Sequence, residues 1–203
     1  MTEFSKRIHQ AFDLAAVAHN SQLRKDPDLS IPYFSHLAGV AYILARYGFG
    51  ENVVIAGVLH DIIEDVIMKG KTEYEAVVKQ QFGEDVYQLV DWVSQVKNDN
   101  NGNKISWEIR VTAYTDRIEN APAEAKAISC ADKIHNIQSL VMAMDRGADV
   151  SLKAGPDRQV EKFESLHIAL SSNWSHPILD EFKDQIGAMK KRVHSESGKN
   201  RMR

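Results

Sequence analysis

One stretch constrains this chain more than any other. Val53-Val54-Ile55-Ala56-Gly57-Val58-Leu59 is apolar on every side, Ile62-Ile63 prolong it, and His60, Asp61, Glu64 and Asp65 are set into it. The β-branched content admits a strand. The apolar character nevertheless continues from Val53 to Ile67, past strand length, and predicts a central buried helix. A carboxylate buried there without a partner costs several kcal/mol or takes up a proton. His60 and Glu64 stand four residues apart on one helical face, as do Asp61 and Asp65. A bound cation offsets both the desolvation and the repulsion among three acids. Mixed nitrogen and oxygen donors suit a first-row divalent ion without choosing one.

The flanking sequence is helical in period. Phe4, Ile8, Ala11, Phe12, Ala15 and Ala18 mark a first amphipathic helix, ending before Arg24-Lys25-Asp26-Pro27. The two prolines of Asp26–Pro32 make that segment a loop. A second helix is expected to start with Ser35 as N-cap and to end at Gly48. Further helices are predicted over Thr72–Phe82, Glu84–Val96, Ser106–Ile118, Pro122–Met144, Asp157–Leu170 and Pro177–Val193. The polar run Asn98–Asn103 and the segment Asp149–Pro156 read as loops. No internal repeat and no sustained alternation is present, so the fold class is all-α. The chain of 203 residues fits one domain, expected over 1–194, followed by a polar, frayed C-terminal tail over 195–203.

Composition excludes several classes of function. With 43% hydrophobic and 26% charged residues the chain resembles an ordinary globule rather than a disordered one. A formal net charge of −3 argues against phosphate-neutralising nucleic-acid binding. No apolar run reaches the ~20 residues needed to span a bilayer, and no secretory leader is evident at Met1–Arg7. A single cysteine, Cys130, forms no internal disulfide and fits a reducing compartment, so a cytoplasmic location is expected. Lys97, Asp99, Asn101, Gly102 and Glu108 fall on calcium-loop positions, but a lysine at the first position rejects that motif.

A second anomaly lies downstream. Ala125, Ala127, Ile128, Cys130 and Ala131 form a small-residue helix that must pack closely, and Asp132-Lys133-Ile134-His135-Asn136 come immediately after it. His36 opens a helix after Pro32-Tyr33-Phe34. The ordered set His36, His60-Asp61, Asp132 resembles the H…HD…D pattern of HD-domain metal phosphohydrolases. Ala18–Lys25, Pro32–His36, His60–Asp65 and Ala131–Asn136 resemble, more narrowly, the hydrolase domain of the RelA/SpoT-homologue family. Those enzymes are 3′-pyrophosphohydrolases of the alarmones guanosine tetra- and pentaphosphate, the signals of the stringent response.

The resemblance covers roughly Phe4 to Met144 and implies an HD-type helical globule. By its pattern His36, His60, Asp61 and Asp132 would ligate one divalent ion, manganese in the family. Glu64 and Asp65 would activate and orient water, while Arg24, Lys25, Asn136 and, more remotely, Ser139 would meet a nucleotide substrate. Two positions depart from the family pattern: Val66 stands where threonine is common and Lys133 where arginine is usual. The chemistry suits these residue types, since phosphoryl transfer needs cations near the phosphate and a base near the water. Two other readings share the motif: an HD phosphatase for another nucleotide (a nucleoside monophosphate or a phosphorylated dinucleotide cofactor), and a non-catalytic nucleotide-sensing module. Glu64 and Asp65 count against the latter. The partner expected is a small nucleotide, with neither nucleic acid nor membrane, and a homo-oligomer is compatible. Cys130, the three tryptophans, and His9, His19, His135, His167, His176 and His194 are assigned to packing or surface.

Overall fold

The computed structural model describes residues 5–26, 28–65, 71–99, 101–148, 150 and 155–200. Among the described residues ten helices succeed one another: α1 Lys6–Ala18, α2 Phe34–Arg46, α3 Glu51–Leu59, α4 Ile62–Asp65, α5 Lys71–Phe82, α6 Glu84–Val93, α7 Trp107–Glu119, α8 Ala123–Asp145, α9 Pro156–Ser171 and α10 Pro177–Asn200. The fold is all-α. Among the described residues the only extended pairings are two isolated bridges, Leu23 with Pro32 and Asn98 with Lys104. None of the described helices is long and apolar enough to cross a membrane.

The apolar run does form the centre. Every residue of α3 from Val53 to Leu59 is buried, and α3 packs against α1, α2, α6 and α8. Gly57 allows the approach of α2: a side chain there would collide with Leu44 Cδ1 and sit 3.5 Å from Val40 Cγ1. The expected continuous helix to Ile67 is not observed. The helix stops at Leu59, His60 and Asp61 form a turn, and then comes a single further turn, α4. The reason is local. His60 Nδ1–H donates to Gly57 O at 2.8 Å, so the side chain competes for the carbonyl that residue 61 would use to prolong the helix. The two chemistry-bearing residues thereby sit at a bend rather than along a face. Val66 and Ile67 lie outside the described residues.

Other boundaries shift for identifiable reasons. Ser35 is not an N-cap: α2 begins at Phe34 from a turn in which Ser35 N donates to Pro32 O at 3.1 Å and His36 N to Tyr33 O at 2.9 Å. Side-chain caps occur instead at Ser5 and Ser106, whose hydroxyls accept from Ile8 N and Ile109 N. α6 ends at Val93 rather than Val96, because residues 97 and 105 join a short hairpin-like loop in which Ile105 N donates to Lys97 O at 3.0 Å. Asp99 closes that loop by accepting from Asn101 N and Asn103 N, the ordinary use of an aspartate in a polar turn. α10 runs on to Asn200, so residues 195–200 of the expected frayed tail are helical. Val193 is still buried, and no proline interrupts residues 194–200.

Candidate metal centre

Four side chains from three parts of the chain converge beside the bend. α2 contributes His36 from its first turn, the end of α3 contributes His60 and Asp61, and α8 contributes Asp132. His36 Nε2 lies 3.2 Å from Asp132 Oδ1 and 3.8 Å from Asp61 Oδ2. His60 Nε2 lies 3.0 Å from Asp61 Oδ2 and 3.8 Å from Asp132 Oδ1. His36, His60 and Asp132 are all buried, with one donor atom of each within 4.8 Å of the others.

The donor set fits a divalent ion on a specific observation. His60 uses Nδ1–H on Gly57 O, so its other nitrogen, Nε2, is the one that faces the two carboxylates, and that atom is buried. It is 3.0 Å from Asp61 without the alignment of a hydrogen bond. A buried imidazole nitrogen aimed at two carboxylates suits a ligand position, where an ion would take the place of the proton that the carboxylates otherwise hold on it. In the metal-free protein the same crowding moves the titrations. Burial pulls the His60 imidazole down, but Asp61 and Asp132 outweigh it and raise it to about 9. Burial would raise both carboxyls, yet His60 holds Asp61 low and Lys133 holds Asp132 low. His36 is lowered chiefly by burial, against the opposing pull of Asp132.

An outer layer orients these groups. Tyr33 donates its hydroxyl to Asp61 Oδ2 and stacks on His19 with centroids 5.2 Å apart. Lys133 Nζ donates to Asp132 Oδ2, and Asn136 Nδ2 donates to Asp132 Oδ1. Arg24 Nη2 donates to Asn136 Oδ1 at 3.0 Å and lies over the Tyr33 ring at 5.6 Å. His36 Nδ1 meets His135 Nδ1 at 2.9 Å. Burial, then the neighbouring His36, pulls His135 down to about 4, so it is neutral and has one bare nitrogen. The consistent assignment is His36 Nδ1–H donating to His135 Nδ1, which leaves the His36 Nε2 lone pair toward Asp132.

A family model described as HD domain matches residues 11–153. The chain belongs to the HD-domain family. It is 30% identical over 149 residues to guanosine-3′,5′-bis(diphosphate) 3′-pyrophosphohydrolase MESH1 of Xenopus tropicalis, covering 72% of this chain and 76% of that protein. It is 34% identical over 138 residues to the probable GTP diphosphokinase RSH3, chloroplastic, of Arabidopsis thaliana, covering 66% of this chain. The chain spans 18% of the length of that plant relative. In three dimensions it matches a structure described as a metazoan ortholog of SpoT that hydrolyzes ppGpp. The TM-score is 0.73 at 25% identity, over 93% of this chain and 99% of that one. A structure from Listeria monocytogenes matches with a TM-score of 0.64 at 29% identity over 78% of this chain. These likenesses place the chain in the RelA/SpoT-homologue branch of the HD-domain family.

The remaining residues of the HD centre divide into two groups. Arg24 and Asn136 join the network through Asp132. Glu64 accepts from Gln95 N at 2.8 Å and pairs with Lys97 Nζ at 3.1 Å, and it shares Tyr114 as an electrostatic neighbour with Asp132. Lys25 is exposed, and Ser139 turns its hydroxyl back onto His135 O at 2.9 Å. Asp65 belongs to α4, but its side chain lies outside the described residues. Sequence reasoning missed His135 and Tyr33. The signal for His135 was available as Gly39, whose absent side chain makes room for the His135 ring. Cys130 is buried, and burial pushes its thiol well above the ordinary range. The tryptophans are rim residues: Trp92 and Trp107 lie under Arg117 and Arg158, and Trp174 stacks on His176.

Proposed function

We propose that this chain hydrolyses guanosine 3′,5′-bis(diphosphate) to GDP and pyrophosphate, using a divalent ion, manganese by family likeness, held by His36, His60, Asp61 and Asp132. The reaction belongs to one unit over residues 1–194. The observation that carries the reading is the buried His60 Nε2 facing two carboxylates beside a second imidazole. The likeness to a relative named for this hydrolysis, over most of both chains, supports the substrate.

When bound, the ion supplies Lewis acidity and a coordinated water of lowered pKa. The protein's own residues do the rest. Glu64 has one oxygen on the Gln95 N–H and the other on Lys97, and each oxygen keeps a lone pair. It accepts the proton as the water oxygen bonds to phosphorus, and Asp65 aligns the water. The bond between that phosphorus and the ribose 3′-oxygen breaks, and the 3′-oxygen takes a proton. Arg24 and Lys25 meet the nucleotide, with Arg24 braced by Asn136 and Tyr33. Asn136 and Ser139 complete the substrate side of α8.

Glu64→Gln keeps the shape and removes the base. Turnover of the tetraphosphate is expected to fall by about 10²–10⁴ while metal binding and the unfolding temperature hold. Unchanged turnover removes Glu64 from the mechanism. Chromatography of the products tests the substrate: pyrophosphate and GDP support the reading, whereas orthophosphate from ordinary nucleotides alone replaces it with a nucleotide phosphatase.

A further inference from the structure

Two side chains join the converging donors to Arg24. Asn136 spans Asp132 and Arg24 with a single amide group. Tyr33 spans Asp61 and Arg24 with two chemically different parts of one residue. Its hydroxyl donates to Asp61 Oδ2, the oxygen that also lies 3.0 Å from His60 Nε2 and 3.8 Å from His36 Nε2. Its ring lies beneath the Arg24 guanidinium, whose central carbon is 5.6 Å from the ring centroid.

The backbone dictates this placement. Tyr33 N donates to Gln22 O and Arg24 N to Ile31 O, each at 2.8 Å, on either side of the bridge between Leu23 and Pro32. In such an antiparallel pairing residues 22 and 24 share a face with residues 31 and 33. Arg24 and Tyr33 are therefore diagonal neighbours, a separation that an aromatic and a long side chain can close. Two imidazoles then fix the ring. Buried His19 stacks on it with centroids 5.2 Å apart and planes 26° apart, and its Nδ1 is tied to Gln22 Oε1 at 2.7 Å. His36 meets the ring edge-on at 5.5 Å.

The two contacts do different work. An outer donor fixes the orientation of a ligating carboxylate, and the phenol supplies one to Asp61. An arginine laid on an aromatic face has its planar fork pre-set, so fewer orientations are lost when it takes a phosphate. Because His19 and His36 hold the ring independently of the hydroxyl, one contribution can be removed without the other.

We propose that Tyr33 is a positioning residue with two separable roles: its hydroxyl sets Asp61 for the ion, and its ring sets Arg24 for the nucleotide. The second role rests on the hydrolase reading above, which assigns Arg24 to the nucleotide; the first rests on the contact with Asp61.

The test compares Tyr33→Phe and Tyr33→Leu with the wild type by two readouts: manganese affinity by competition with a chromophoric chelator, and GDP affinity by calorimetry at saturating manganese. Tyr33→Phe is expected to lose about 10–100-fold in manganese affinity and to bind GDP as the wild type does. Tyr33→Leu is expected to lose the same metal affinity and, in addition, about 2–5-fold in GDP affinity. Tyr33→Met takes its place if the leucine variant does not fold. Wild-type manganese affinity in Tyr33→Phe overturns the proposal, and so does equal GDP affinity in Tyr33→Phe and the variant lacking the ring. A merely structural tyrosine would lower the unfolding temperature of metal-free Tyr33→Phe and weaken both ligands together; that pattern overturns it as well. A wild type that binds manganese and GDP but leaves the tetraphosphate intact defeats the hydrolase reading alone, because neither readout involves turnover.

Discussion

Gly39→Ala tests whether the HD centre depends on the packing behind it. Gly39 lies on α2, one turn after His36, against the His135 ring of α8. An added methyl would overlap His135 Cδ2 and Nε2 and lie 3.1 Å from Cγ. Relief requires the ring to withdraw by about 1 Å, which stretches the 2.9 Å bond from His36 Nδ1 out of hydrogen-bonding range. Two terms set the stability change. Overpacking costs about 1–3 kcal/mol, and replacing a mid-helix glycine by alanine returns about 1 kcal/mol. The net is a loss of about 0–2 kcal/mol, or a fall of a few degrees in unfolding temperature for a chain this size. The larger effect falls on the metal. An imidazole ligand deprived of its outer partner typically loses about 10–100-fold in affinity. Competition against a chromophoric chelator measures that loss, and thermal unfolding measures the fold. In a His135→Ala background the clash is gone, so Gly39→Ala is expected to cost nothing further. Full metal affinity in Gly39→Ala, or additive losses in the double variant, would refute the claim that His135 orients His36.

Two other predictions rest on the charges. Lys133→Met strands Asp132 in a buried site and is expected to cost about 3–5 kcal/mol in urea unfolding of the metal-free protein, since both partners are buried; a loss below about 1 kcal/mol would mean the pair is solvated. His60 gives a pH dependence: its folded pKa of about 9 lies above its ordinary 6.5, so the stabilisation is complete below 6.5 and lost as pH rises through about 9. Metal-free protein should therefore weaken between pH 7 and 9, metal binding should strengthen there, and calorimetry in buffers of different ionisation enthalpy should show proton release; binding without proton release contradicts the assignment.

The fold was legible because its centre is an unbroken run of apolar residues and its surroundings keep helical period. The bend inside that run was not. Periodicity reports which residues are buried, and His60–Asp61 are buried or nearly so whether the helix continues or stops. Only the side chain's bond back to Gly57 O decides the matter, and that bond depends on the rotamer of one residue. The same limit applies at Ser35, where good N-cap chemistry lost to the turn set by Pro32. Residue type identified the four converging donors because acids and histidines in apolar surroundings are conspicuous. Tyr33 and His135 escaped notice because a tyrosine beside a proline and a histidine in an amphipathic helix are both ordinary.

The centre's design reflects where its parts reside. His60 and Asp61 are anchored by the most deeply packed helix, α3, and Asp132 by α8, itself buried from Ala125 to Ile134. His36 and Tyr33 come from the start of α2, and Arg24 from a loop bridged back to it by Leu23 and Pro32. Arg24 N donates to Ile31 O at 2.8 Å, and Asp26 accepts from Asp28 N and Leu29 N and is joined by Arg146, the C-cap of α8. The four converging side chains thus rest on the buried core, while Arg24, the cation proposed to meet the nucleotide, is carried by a loop tied at both ends. Such a division lets the loop residues vary with substrate without disturbing the donors. A substitution in residues 28–31 is accordingly expected to alter KM with little change in metal affinity, whereas one in Val53–Leu59 alters both by moving His60.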